Sequence, residues 1–121
     1  MSASKILIID DDPGFSWVLE RSLREEGYEV LKAPDGIKGL DIISSQGVDL
    51  VIVDYKMPGL NGLEVLEKLE AINAKLPVIF MTGHNSMPTA SNAIKGGAVA
   101  YFGKPLRVAD LKKTIANFLS K

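Results

Sequence analysis

The sequence predicts an α/β fold, an open doubly wound parallel sheet of five strands covered by five helices. Three observations predict it. Short apolar runs alternate with longer amphipathic stretches along the 121 residues, the mark of repeated strand-helix units. Runs such as Leu50-Val51-Ile52-Val53 are continuous rather than interleaved with polar residues, which suits strands covered on both faces. Each run is bounded by Gly, Pro or Asp, the residues that open turns.

The first strand, Lys5 to Ile9, stops at Asp10-Asp11-Asp12. A helix follows, with Phe15, Val18, Leu19, Ser22 and Leu23 recurring at helical spacing. Asp12 stands as its N-cap, Pro13 in its first turn and Gly27 just past its end. The second strand is Tyr28 to Lys32, whose Glu29 and Lys32 mark a sheet edge. Helices are expected over Gly36 to Ser45, Leu63 to Ala71 and Pro88 to Lys95, and the remaining strands over Leu50 to Val53, Val78 to Met81 and Val99 to Phe102. The last helix carries Leu111, Ile115, Phe118 and Leu119 on one face and Lys112 and Lys113 on the other. Arg107 precedes it and would cap poorly, a deficit on the order of 1 kcal/mol. Right-handed crossovers, with helices on both faces, make the flavodoxin-like order 2-1-3-4-5 the natural arrangement.

Composition agrees with one domain over residues 1–121, without a linker, since that length can bury a self-sufficient core. A hydrophobic fraction of 46% and a charged fraction of 24% are those of an ordinary globule, neither disordered nor membrane-inserted. Fourteen basic and 15 acidic side chains give a formal charge of −1, without the excess that binding to a phosphate backbone demands. The chain has no cysteine, so disulfides, thiolate metal ligands and thiol nucleophiles are excluded. The early apolar run Ile6 to Ile9 is too short for a secretory signal, and a cytoplasmic location is the expectation.

In an open sheet of this kind, chemistry gathers beyond the carboxyl ends of the strands near the topological switch point. Asp10, Asp11 and Asp12 follow strand one, Asp54 ends strand three, Thr82 ends strand four, and Lys104-Pro105 follows strand five. Singly, each has a plain structural explanation. Asp12 before Pro13 reads as a helix cap rather than a ligand, Asp10 and Asp11 suit a solvated turn, Thr82 suits a hydroxyl bonded to nearby backbone, and Lys104 suits an exposed turn. Together they fall on one edge of the sheet. Carboxylates brought that close call for a cation, and an incomplete cage of hard oxygens suits Mg²⁺ with phosphate oxygens.

Ile8-Ile9-Asp10-Asp11, Asp54 before Met57-Pro58-Gly59, Thr82, and Lys104-Pro105 resemble the receiver domains of bacterial two-component response regulators, the CheY-like superfamily. The resemblance covers essentially the whole chain. It implies that Asp54 accepts a phosphoryl group from a sensor histidine kinase or phosphotransfer protein. Mg²⁺ would be held by Asp11 directly, Asp10 largely through water, the Asp54 carboxylate and the backbone carbonyl of Lys56. Lys104, the Thr82 hydroxyl and the amide of Gly83 would meet the phosphoryl oxygens, and water would later hydrolyse the anhydride. No turnover of a free metabolite is implied, so the chain is not expected to be an enzyme in the ordinary sense.

Tyr101 lies where such receivers carry a switch aromatic that responds to Thr82; otherwise it is a half-buried strand residue. A coupling of roughly 1 to 3 kcal/mol would change partner affinity 5- to 150-fold. The face of the fourth helix, fifth strand and last helix is the implied site for an output domain or downstream protein, with phosphorylation-dependent dimerisation as a further expectation. Thr82-Gly83-His84 with Pro88, and Trp17-Val18-Leu19-Glu20-Arg21, resemble receivers of nitrogen-regulation-type activators. Trp17 lies off the apolar stripe, either near the surface where family kinases dock or shielding the helix flank. The lone His84 reads as an exposed loop histidine. Gly83 stands where a slightly larger small residue is usual, which would loosen access to the phosphoryl group.

Two other functions share part of this pattern. A haloacid-dehalogenase-like phosphatase shares the Asp-x-Asp spacing of Asp10 and Asp12, but Gly14 stands where Thr or Val is expected and no acidic pair follows the lysine. A flavin or nucleotide-binding module would need GxGxxG or a Walker lysine loop, and neither occurs in the chain.

Overall fold

A computed structural model describes residues 3–54, 59, 62–72, 75–82, 97–103 and 107–119. Its elements run β1 (Lys5–Ile9), α1 (Pro13–Glu25), β2 (Glu29–Ala33), α2 (Gly36–Gln46), β3 (Leu50–Asp54), α3 (Gly62–Ile72), β4 (Val78–Thr82), β5 (Ala100–Gly103) and α4 (Val108–Leu119). The predicted helix Pro88 to Lys95 lies outside the described residues, which hold four of the five helices expected. All strand pairs are parallel and the order is β2-β1-β3-β4-β5. The flavodoxin-like arrangement is therefore the observed one, and β2, carrying Glu29 and Lys32, is its edge.

The period of two along each strand divides the core between the two faces. Leu7, Ile9, Val51, Val53, Val78 and Phe80 pack with Ile43 of α2 and Val65, Leu66 and Leu69 of α3. Ile6, Ile8, Leu50, Ile52, Ile79 and Met81 pack with Leu19 and Leu23 of α1 and Leu111 and Ile115 of α4. Every residue of β3 is buried, as expected for a central strand enclosed by helices.

The ends of α1 follow the sequence closely. Asp12, in extended conformation, accepts from the backbone N–H groups of Gly14 and Phe15. At the other end Gly27 adopts φ 94°, donating to Arg24 O while Tyr28 N–H donates to Leu23 O. That pair of bonds is a Schellman closure, which requires the left-handed conformation that glycine adopts without strain. Tyr28 thus belongs to the helix cap, and β2 begins one residue later than predicted. At β5 the strand likewise starts at Ala100, although Val99 N–H already donates to Val78 O.

Two predicted core positions are corrected. Val18 is 51% exposed and Ser16 is buried in its place. Residues advance about 100° around a helix, so a core face centred on Leu19 and Leu23 takes in residue 16 and turns residue 18 away. Phe118 is 43% exposed: it shares the angular stripe of Leu111 but sits in the last turn, where fewer side chains reach the helix. Arg107 serves α4 through its carbonyl, which accepts from Asp110 and Leu111 N–H, while its guanidinium lies 3.9 Å from Asp110 in an exposed ion pair.

Candidate functional site

The strand register brings the predicted acids together. Ile9 of β1 pairs with Val53 of β3, so Asp10 and Asp54, each one residue further on, end adjacent strands at the same level. Asp54 continues the side-chain period of Leu50 and Ile52. Asp10 and Asp54 are both buried, at 4% and 6% exposure, and Asp11 is exposed. Carboxylate oxygens of these three residues lie within 4.8 Å of one another.

Asp10 is fixed by its own backbone and by its neighbour's. Its N–H donates to Ala33 O at 3.1 Å, extending the β1–β2 ladder past the strand. Its Oδ1 accepts from the N–H of Asp12 at 2.9 Å. Asp12 itself is no member of the three-acid group: its side chain is turned to the helix N–H groups, as its place before Pro13 predicted.

The remaining expected site residues divide by position. Asp54 pairs with Met81 and Thr82 pairs with Gly103, so the backbone of Thr82 ends β4 one step beyond the level of Asp54. Lys104 is the residue after Gly103. The side chain of Thr82 and all of Lys56, Gly83, His84 and Lys104 lie outside the described residues. Tyr101 is half-buried on β5, paired with Phe80 and packed against the α2/α3 side of the core.

Beside the acids is an open pocket of about 160 Å³ lined by Asp10, Pro13, Ser16, Lys32, Ala33 and Pro34. Lys32 is tied outward to Glu20 at 2.9 Å, and Glu20 also meets Arg24 at 2.9 Å. The Lys32 hydrogen bond, reinforced by Arg24 and opposed by partial burial, holds the Glu20 carboxyl below its ordinary range. Arg24 donates onward to Val30 O. This link between α1 and β2 had no local signature in the sequence, since it joins side chains that only the fold makes neighbours.

The donor set fits a hard divalent cation. Among the described residues carboxylate oxygens alone are offered, too few to fill a coordination shell, which suits an ion that keeps part of its water. At 4.8 Å two carboxylates repel by about 3.5 kcal/mol in an effective dielectric of about 20. A cation among them would turn that cost into attraction. Among the described residues no helix is long and apolar enough to cross a membrane.

Comparison with known proteins agrees with this geometry. The family model described as response regulator receiver domain matches residues 6–116. Sporulation initiation phosphotransferase F of Bacillus subtilis is 32% identical, over 98% of this chain and 96% of its own length. Transcriptional regulatory protein ZraR of Klebsiella oxytoca is 36% identical over 95% of this chain, which spans only 26% of that protein. Among solved structures, a CheY-like receiver domain protein from Methanospirillum hungatei JF-1 superposes with a TM-score of 0.93 at 34% identity, covering 98% of this chain and 95% of that one.

Proposed function

Because this chain belongs to the response regulator receiver family, phosphorylation-dependent switches of two-component signalling, we propose that Asp54 is its phosphoacceptor and that Asp10 and Asp11 hold Mg²⁺ beside it. The observation that supports this most directly is the grouping of the three carboxylates within 4.8 Å at the ends of adjacent strands.

In the proposed reaction a carboxylate oxygen of Asp54 attacks the phosphorus of a phosphohistidine on a sensor histidine kinase or phosphotransfer protein. The P–N bond breaks, the imidazole leaves, and an acyl phosphate forms on Asp54. The bound cation supplies charge neutralisation and alignment for the phosphoryl oxygens. Asp10 and Asp11 orient the site, Asp10 with its backbone tied to Ala33 and its Oδ1 held by the Asp12 N–H. The Lys56 carbonyl completes the metal set. Lys104, the Thr82 hydroxyl and the Gly83 amide receive the phosphoryl oxygens, and Tyr101 reports engagement of Thr82 to the face of the fourth predicted helix, β5 and α4. Hydrolysis of the acyl phosphate by water resets the switch, a self-limited phosphatase activity rather than metabolite turnover.

The cytoplasm is the proposed location, with residues 1–121 as one receiver unit. The proposed output is an attached domain or separate partner on the β5–α4 face, or a phosphorylation-dependent dimer. Relatives of both kinds support this: one is matched along nearly its whole length, and the other is a transcriptional regulator four times longer than the match.

The test is labelling by a small acyl-phosphate donor. The expected product is an alkali-labile phosphoprotein, at one phosphoryl group per chain, formed with Mg²⁺ and absent in Asp54→Asn. Equal labelling of Asp54→Asn would reject the assignment, and many turnovers of a phosphate ester per chain would favour a phosphatase instead.

A further inference from the structure

We infer that Asp12 is a positioning residue for the metal acids, acting through the helix cap and not as a ligand; this rests on the Mg²⁺ reading above. One residue carries two sets of bonds that point in opposite directions. Forward, its Oδ1 accepts from Gly14 and Phe15 N–H at 3.1 and 3.2 Å, and its carbonyl accepts from Ser16 N–H at 3.1 Å. Backward, its N–H donates to Oδ1 of Asp10 at 2.9 Å.

The forward bonds fix the conformation of Asp12, at φ −96° and ψ 101°, and so fix where its N–H points. That N–H is held by Oδ1 of the buried Asp10 carboxylate and so restricts the rotation of the group where it lies beside Asp11 and Asp54. A hydrogen bond to an ionised carboxylate is stronger and more directional than a neutral one. The cap therefore holds the metal acid in its presented orientation. Ser16, Leu19 and Leu23 anchor the rest of α1 in the core, so the cap is referenced to a rigid body.

Coupling of this kind is reciprocal. If the cap orders Asp10 for the cation, the cation must in turn steady the first turn of α1. That turn leads directly to the exposed Trp17, which stacks with Arg21 at 5.1 Å from its ring centre. Site occupancy is thus transmitted to the outer face of α1 as well as along β5.

Three variants separate positioning from the alternatives. Asp12→Asn keeps a capping oxygen and removes the charge; Asp12→Ala removes both. Asp35→Ala removes the equivalent cap of α2, where the Asp35 side chain accepts from Lys38 N–H at 2.9 Å, and serves as a control for lost stability. Mg²⁺ affinity by calorimetry is expected to be about fivefold weaker in Asp12→Ala than in Asp12→Asn, the scale of one lost cap. Asp35→Ala should bind as the wild type does. In the wild type, Mg²⁺ should slow amide hydrogen exchange at Gly14 and Phe15, an effect missing from Asp12→Ala.

Equal affinities of the Asn and Ala variants would overturn the inference in favour of a charge or ligand role, and a weakened Asp35→Ala would reduce it to general stability. Both outcomes leave the Mg²⁺ reading intact. Wild-type protein that binds no Mg²⁺ overturns that reading, and this inference with it.

Discussion

Replacing Asp54 by Asn should make the metal-free protein more stable while removing its response to Mg²⁺. Asp10 and Asp54 are nearly fully buried, and two bare unit charges at the 4.8 Å limit of their group repel by about 3.5 kcal/mol with an effective dielectric of about 20, a cost that the other partners of both residues reduce. Asn keeps the shape of the side chain but accepts weaker hydrogen bonds than a carboxylate, which offsets roughly half of that relief. The expected net gain is about 1.5–2 kcal/mol. With an unfolding entropy of about 2.1 cal/mol/K per residue, 121 residues give about 0.25 kcal/mol/K, so the midpoint should rise by about 6–8 °C in EDTA. At 100 times its Kd, Mg²⁺ should add about 2.7 kcal/mol to the wild type, reversing the order. Calorimetric melts of both proteins, with EDTA and with Mg²⁺, measure all four values. An Asn variant that melts at or below the wild type in EDTA would refute the reasoning, because the partners of Asp10 and Asp54 would then outweigh the repulsion between them.

Three further outcomes follow from the packing and ionisation of the fold. A Cβ at Gly39 would lie 2.8 Å from Cγ1 of the fully buried Ile9 and closer still to its Cδ1; Gly39→Ala should cost about 1–3 kcal/mol in urea unfolding, and a change below roughly 0.5 kcal/mol would show that α2 and β1 yield freely. Glu20 is held below its ordinary value of 4.5, first by the Lys32 hydrogen bond, so its contribution is complete above that pH and is lost as pH falls through the lower folded value. The stability difference between wild type and Glu20→Gln should therefore be about 0.5–1 kcal/mol near neutrality and shrink below pH 4.5; a difference that persists in acid would exclude the ion pairs as its source. Burial, aided by Glu26, raises the Tyr28 phenol above 10.0, so the unfolded chain releases that proton first and the wild type should lose stability relative to Tyr28→Phe as pH rises past 10, read by alkaline denaturation.

The sheet and its acids were legible because their signals are local or follow from topology. Continuous runs such as Leu50–Val53 suit strands buried on both faces, and once β1 and β3 are neighbours the strand ends bring Asp10 and Asp54 together, though 44 residues apart. The cap by Asp12 was legible for the same reason, being written in the next residue. What escaped depends on side chains meeting across elements. The Glu20 bridge to Lys32 needs the α1–β2 packing before it exists. Val18 and Ser16 exchange places because the face centred on Leu19 and Leu23 takes in residue 16 and turns residue 18 away, whereas composition alone favours valine. Asp35 was missed as the cap of α2 although it stands directly before Gly36, the position where a capping carboxylate belongs.

Charge explains why this arrangement suits a switch better than a static metal site. Three ionised carboxylates together carry three negative charges, and a divalent cation among them leaves one. Converting Asp54 to an acyl phosphate replaces its single charge with about −1.5 to −2, so the loaded site is again more negative than the metal-bound one. The added charge strengthens the attraction for a further positive group, and it is present only in the phosphorylated state. Lys104, next after the residue that pairs with Thr82, is the proposed group, and its attraction is then a differential interaction of the kind a two-state equilibrium requires. On this logic the crowding of Asp10, Asp11 and Asp54 is what would give the proposed phosphoryl group its leverage over β5.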